Sequence, residues 1–285
     1  MKYYKIADLN LAVDGVDFEY FNSRMKDYQV GKTDKSDISV NFELNNSIVR
    51  NTPEPFVTKN GRSYFETENE CGFYDYITEV DKTVSVMRVN KKWTDFSYTY
   101  SDLTELFGIA PDLTAVNVLG HLFAQGLRCF DGAVLHASTI MYNDKAVTFT
   151  AASGTGKSTH TGLWQKYYPE TVIINDDMPA IRCVNGTFRA YGTPWAGKTF
   201  INENVSAPLH AMVFLERAEQ CSITEISPMD AVIRMMREIP ITVFKAQSDM
   251  LIDFYNKLFT TVPAYLLKCN ISKDAVDVVK SKLNL

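Results

Sequence analysis

The chain has 285 residues, 46% hydrophobic and 22% charged, with 14 Gly, 10 Pro and a mean hydropathy of −0.14. That composition excludes a disordered or fibrous protein and gives room for roughly two domains at about 150 residues each. A net charge of −5 and a pI near 5.5 argue against nucleic-acid and anionic-membrane partners; no apolar run approaches the ~18 residues that span a bilayer, and Met1-Lys2-Tyr3-Tyr4-Lys5 leads into Asp8 rather than an apolar leader, so a cytoplasmic protein is expected.

Residues 1–110 hold about half of the chain's aromatic residues and alternate polar with apolar side chains, as in Ile38-Ser39-Val40-Asn41-Phe42 and Thr83 to Val89. Turn signals at Asn45-Asn46-Ser47 and Asn60-Gly61 separate these stretches. The region is therefore expected to be β-rich, a packing or partner-recognition module with no catalytic constellation. The five cysteines, Cys71, Cys129, Cys183, Cys221 and Cys269, are odd in number and far apart, which fits reduced core thiols better than a disulfide framework or a sulfur-bound metal.

The pattern changes near Pro111, and residues 111–285 are expected to form the second domain. From Thr114 to Phe130 the apolar residues recur at helical spacing, so a helix is expected there, ending before Asp131-Gly132. Two strand-like runs follow, Ala133 to Met141 and Lys145 to Thr150, joined by a turn at Tyr142-Asn143-Asp144. Next comes a small-residue loop, Ala151 to Gly156, that feeds a helix over 157–168. Pro169 precedes a β-branched run, Thr171 to Ile174, that ends at Asn175-Asp176-Asp177. Further on, the periodicity predicts strands over 211–215, 222–226 and 264–269 and helices over 229–238, 249–260 and 273–282.

A glycine loop that opens a helix suits a phosphate, because its backbone N–H groups converge on the anion and the helix dipole adds attraction. Three Gly-Lys-Ser/Thr matches occur, at Gly31-Lys32-Thr33, Gly156-Lys157-Ser158 and Gly197-Lys198-Thr199. Only Gly192 to Thr199 fits the full G-x-x-x-x-G-K-[ST] pattern. Physical context reverses that choice: Pro194 has no N–H to donate, Trp195 is bulky where backbone must approach phosphate, and the residues after Thr199 make a poor helix. The 151–158 loop has small residues, a strand before it and a helix after it. There Lys157 would reach the β- and γ-phosphates and the Ser158 hydroxyl would ligate Mg²⁺. A helix of about 12 residues spans ~18 Å, so one antiparallel return strand would bring Asp176 and Asp177 back beside the loop. Adjacent carboxylates there can divide two tasks, metal binding and proton acceptance.

The run Ala152-Ser153-Gly154-Thr155-Gly156-Lys157-Ser158-Thr159, followed by Asp176-Asp177, resembles the catalytic domain shared by bacterial HPr kinase/phosphorylases and ATP-dependent phosphoenolpyruvate carboxykinases. The resemblance covers residues 130–200 well and the remaining C-terminal part loosely. It implies an α+β or α/β protein in which the β-rich N-terminal region is joined to a P-loop, carboxykinase-like domain with a mixed sheet and flanking helices. It further implies that ATP binds at 152–159, that Ser158 and the Asp176/Asp177 pair hold Mg²⁺, and that one of the two carboxylates acts as base. HPr kinases also carry a histidine on the strand that enters the hairpin before the loop, where it assists transfer to the acceptor. Leu135-His136-Ala137 occupies that place, 21 residues before Lys157. The sequence departs from the family at Ala151, where a glycine is common, and at Gly192 to Lys198, which replaces the usual stretch after the acidic pair. In that stretch Trp195 and Lys198 could line an acceptor pocket or form a packed turn. His121, His160 and His210 are read as structural.

The expected activity is thus ATP-dependent phosphoryl transfer to a hydroxyl acceptor, whether a protein serine, a peptide or a small molecule. A nucleotide-binding regulatory protein without transferase activity is the alternative. A decarboxylating carboxykinase is disfavoured, since its oxaloacetate-binding residues are not found. A homo-oligomer is compatible with the resemblance.

Overall fold

Alternate side chains of β4 (Ile38–Leu44), Ile38, Val40 and Phe42, are buried, so this stretch forms a strand with one face against a core. In the computed structural model, which describes residues 1–48, 53–78, 81–102, 111–238 and 242–285, the chain divides into two units, Met1–Cys129 and Phe130–Leu285. Among the described residues they contain two large mixed sheets and six α-helices, an α+β architecture. No described helix is long and apolar enough to cross a membrane, and the five cysteines form no disulfide among the described residues.

The first unit is built on one nine-stranded sheet. Its strands are β1 (Lys2–Ile6), β2 (Leu9–Asp14), β3 (Gln29–Val30), β4, β5 (Val57–Lys59), β6 (Arg62–Glu66), β7 (Glu70–Ile77), β8 (Lys82–Asn90) and β9 (Asp95–Tyr100). The order is β3-β1-β2-β4-β9-β8-β7-β6-β5, with β4 parallel to both β2 and β9 and the other pairs antiparallel. The β5–β6 hairpin turns through Asn60 and Gly61, both at positive φ (53° and 77°), the conformation an Asn-Gly pair favours. A short helix, α1 (Glu19–Met25), buries Phe21 and Met25, and α2 (Pro111–Leu127) buries Leu119, Leu122, Phe123 and Leu127. The composition shift at Pro111 marks the start of α2, whereas the division between units follows that helix.

The second unit carries β10 (Gly132–Val134), β11 (Ala137–Tyr142), β12 (Lys145–Thr150), α3 (Lys157–Tyr167), β13 (Val172–Asn175), β14 (Ala180–Val184), β15 (Thr187–Tyr191) and β16 (Ser206–Arg217). β17 (Ser222–Ile226), α4 (Pro228–Glu238), α5 (Lys245–Thr261), β18 (Ala264–Cys269) and α6 (Lys273–Leu283) complete it. The sheet runs β10-β14-β15-β16-β12-β11-β13, with β18 beside β16 and β17 beside β18. β16 is parallel to β12 and β18 but antiparallel to β15. Its unbroken apolar run splits between two cores: Met212 and Phe214 pack with Met235, Phe254, Tyr255 and Leu258 of α4 and α5, while Ala211, Val213 and Leu215 pack with Trp164, Val276 and Val279 of α3 and α6. A strand covered on both faces reads as continuous hydrophobicity.

Two sequence expectations change here. The run from Ala133 to Met141 is two strands, β10 paired with β14 and β11 paired with β12 and β13, with a bend at Leu135-His136. The backbone N–H groups of Leu135 and Ala137 bond Pro179 O at 3.0 Å and Asp177 O at 2.9 Å, so the bend is fixed beside the acidic pair. Residues 180–191, for which no element is expected from periodicity, form the β14–β15 hairpin through Asn185-Gly186, both at positive φ (50° and 80°).

Candidate functional site

β12 ends at Thr150 and the chain enters the glycine loop, in which Gly154 and Gly156 lie at φ of 78° and 121°. Both values are open to glycine and strained for other residues. Gly156 caps α3 without a side-chain hydrogen bond, and a helix N-terminus of this kind suits an anion. Lys157 is 7% exposed; its Nζ donates to Ala151 O at 3.0 Å and lies 3.3 Å from His136 Nε2. At the far side of the loop Arg217, at the end of β16, donates through Nε to Thr155 O at 3.0 Å and through its second guanidinium nitrogen to Gly154 O. Those carbonyls are thereby satisfied by the guanidinium.

His136 Nε2 also lies 3.4 Å from Asp177 Oδ1. One nitrogen thus faces an ammonium and a carboxylate: unprotonated it accepts from Lys157, and protonated it donates to Asp177. Asp176, 5% exposed, is held differently. Its Oδ1 accepts from Ser138 Oγ at 2.7 Å, Ser138 Oγ is 2.9 Å from Thr161 Oγ1 of α3, and Oδ2 is buried without a hydrogen-bond partner among the described residues. The pair is set by Asn175 at the end of β13. Its Oδ1 accepts from the N–H of Asp177 at 2.9 Å and of Met178 at 2.7 Å, an Asx-type turn that directs the chain off the strand.

Asn175 faces the other way as well, since Nδ2 donates to Thr193 O at 3.0 Å, and this anchors the segment Gly192 to Gly197. Here the glycines of the full-pattern match have packing roles. A Cβ on Gly192 would come within 1.8 Å of Glu203 O, and one on Gly197, at φ 57°, within 2.7 Å of Asp177 Oδ2. No helix follows Thr199. Trp195 is 5% exposed, so its ring is packed inside and not presented as a wall, while Lys198 is exposed. Gly31-Lys32-Thr33 falls in an irregular segment after β3.

A cavity of about 310 Å³ brings together His136, Asp176 and Asp177 on one side and Ser153, Gly154, Gly156, Lys157, Ser158 and Thr159 on the other. Two larger cavities flank the loop. One, about 660 Å³, runs from Thr155, Gly156 and Thr159 to Leu163, Leu215 and Ile271. The other, about 580 Å³, lies between residues 150–155, where Ala152 sits, and Arg234 and Arg237 of α4. Arg217, Ser138 and Asn175 position these groups and carry no local sequence signal. His160 is buried in α3 and burial lowers its imidazole to about 4; Trp164 Nε1 donates to its Nε2 at 3.3 Å. His210 lies 2.9 Å from Leu283 O, and His121 lies on α2 in the first unit.

No family model and no curated protein matches the chain. Among solved structures it is similar to the Hpr(Ser) kinase/phosphatase from Coxiella burnetii, at 13% identity over 52% of this chain and 95% of that one, with a TM-score of 0.32. This is a distant structural relationship.

Proposed function

We propose that the second unit is an ATP-dependent phosphotransferase that passes the γ-phosphoryl group to a hydroxyl. The observation that carries this reading is the succession Lys157, His136, Asp177, linked at 3.3 and 3.4 Å in a cavity floored by the glycine loop. The loop N–H groups and Lys157 would hold the β- and γ-phosphates. The nucleobase would take the flanking cavity lined by Leu163, Leu215 and Ile271. Mg²⁺ fits the donor set, hard oxygen ligands that leave positions for phosphate and water: the buried, unpartnered Oδ2 of Asp176 and the exposed Ser158 hydroxyl share the cavity. When bound, it would neutralise charge on the phosphate oxygens.

These environments support unequal work for the two carboxylates. Asp176, locked by Ser138, suits a metal-holding role, and Asp177, more exposed and beside His136, suits the base. The acceptor oxygen would attack the γ-phosphorus, its proton passing to Asp177, as the bond to the β,γ-bridging oxygen breaks and ADP leaves. His136 would direct an Nε2–H to the transferring phosphoryl group.

The test is calorimetric titration with Mg-ATP together with label transfer from γ-labelled ATP into cell extract, with protein and metabolite fractions counted separately. Binding with transfer supports the reading. Binding without transfer replaces it by a nucleotide-responsive regulator, and absence of binding removes both.

A further inference from the structure

With the nucleotide in the cradle and the apolar cavity, the third cavity remains for a second ligand, and its walls specify that ligand's charge. It meets the cradle at Ser153 and Gly154, the two residues that line both. Across from the loop stand Arg234 and Arg237, three apart on α4 and hence on one face of the helix. Arg217 is committed to the carbonyls of Gly154 and Thr155. Arg234 gives one N–H to Glu216 at 2.9 Å, which orients its guanidinium and leaves further donors. Arg237 is exposed and has no ion-pair partner among the described residues. Three guanidinium groups face one carboxylate, Glu216, around a space of about 580 Å³, within the range of small-molecule sites. Planar forks of this kind match carboxylate and phosphate oxygens.

We propose that this cavity is the acceptor site and that the acceptor is a small hydroxylated anion, its carboxylate or phosphate held by Arg234 and Arg237 while its hydroxyl reaches across Ser153-Gly154 toward Asp177. The proposal rests on the phosphotransferase reading. The bond formed joins the acceptor oxygen to the γ-phosphorus, the bond broken is to the β,γ-bridging oxygen, and the hydroxyl proton goes to Asp177, so products are a phosphorylated anion and ADP. Two arginines on the acceptor, distinct from the lysine on the nucleotide, make binding of the two substrates separable by mutation.

Label transfer from γ-labelled ATP into a metabolite extract divided by anion exchange tests the assignment. Acceptor activity is expected in the retained, anionic fraction, and Arg237→Ala and Arg234→Gln should each raise the half-saturating acceptor concentration by ~10-fold or more, the scale of a lost charge-assisted contact, with Mg-ATP affinity within a few-fold. Activity confined to the neutral or protein fraction would overturn it. So would a fall in kcat with unchanged acceptor saturation, which would place these arginines on the transferring phosphoryl group. A direct measurement keeps the proposal decidable if no transfer is seen. Glycerol 3-phosphate and glycerate, tested as probes on protein saturated with a non-hydrolysable ATP analogue, should raise the melting temperature in wild type and not in Arg237→Ala. No shift with either would reject the anion site, whereas loss of nucleotide binding itself would reject the underlying reading.

Discussion

Gly197 stands against Asp177, where a Cβ at this position would approach Oδ2 to 2.7 Å. Gly197→Ala should therefore push the carboxylate out of line with His136, and the positive φ of 57° adds backbone strain of about 1 kcal/mol. The expected result is transfer reduced by ~10-fold or more with Mg-ATP affinity within a few-fold, read by kinetics beside calorimetry. Wild-type turnover would show that Asp177 tolerates displacement.

Lys157→Ala should abolish measurable Mg-ATP binding, because its ammonium is buried at the cradle and bonded to the loop that would hold the phosphates. Lys198→Ala, in the exposed turn, should leave it intact. Calorimetry on both variants ranks the two lysines, and the reverse order would move the nucleotide to the full-pattern segment.

His136→Ala should lower transfer by ~10²-fold while nucleotide affinity holds within a few-fold. The imidazole lies between Lys157 and Asp177 and is only half-buried, so its loss should cost little stability. A large drop in melting temperature with unchanged turnover would make it a packing residue.

Asp176→Asn and Asp177→Asn should both reduce transfer by ~10²-fold, but only the first should raise the Mg²⁺ concentration needed, since its Oδ2 is the buried oxygen without a partner. A magnesium titration of each variant separates the roles; a raised requirement in Asp177→Asn alone would exchange them.

The stability of the second unit should fall in mild acid through His160. Burial lowers its pKa to about 4 from 6.5, so the unfolded chain takes up the proton first. The contribution is fully present above pH 6.5 and is lost as pH falls toward 4, at ~1.4 kcal/mol per pH unit. Between pH 7.5 and 5, urea melts of wild type should lose ~2 kcal/mol more than those of His160→Phe. Equal losses would show that His160 is solvated in the folded state.

What could be read from sequence was local and directional. The glycine loop, α3, β13 and the acidic pair follow one another within 27 residues from Ala151 to Asp177, and each has its own pattern. Asn185-Gly186 was a legible hairpin signal, but the short β-strands around it, with polar Arg182 and Arg189, lacked clear alternation. The bend at Leu135-His136 was hidden because one apolar run continues through two strands that pair with different neighbours. The supports of the site were beyond reach, since Arg217 is 62 residues from Thr155 and Ser138 is 38 from Asp176. Their proximity depends on sheet order, which β16 fixes by carrying β12 on one edge and β18 on the other, with β15 paired to its N-terminal end.

The two-residue turn at Asn143 and Asp144, both at positive φ (48° and 59°), pairs Tyr142 with Lys145 and Ala137 with Thr150. Counting outward from it, the two arms deliver His136 and Ala151 to the same level, so the hairpin works as a ruler for the site. Deleting one residue from either arm would turn every later side chain of that arm to the opposite face. His136 or the loop would then meet the helices on the wrong side of the sheet, while the turn and the strands themselves would persist. Spacing from this turn is thus as binding a constraint on the site as the identity of the residues in it.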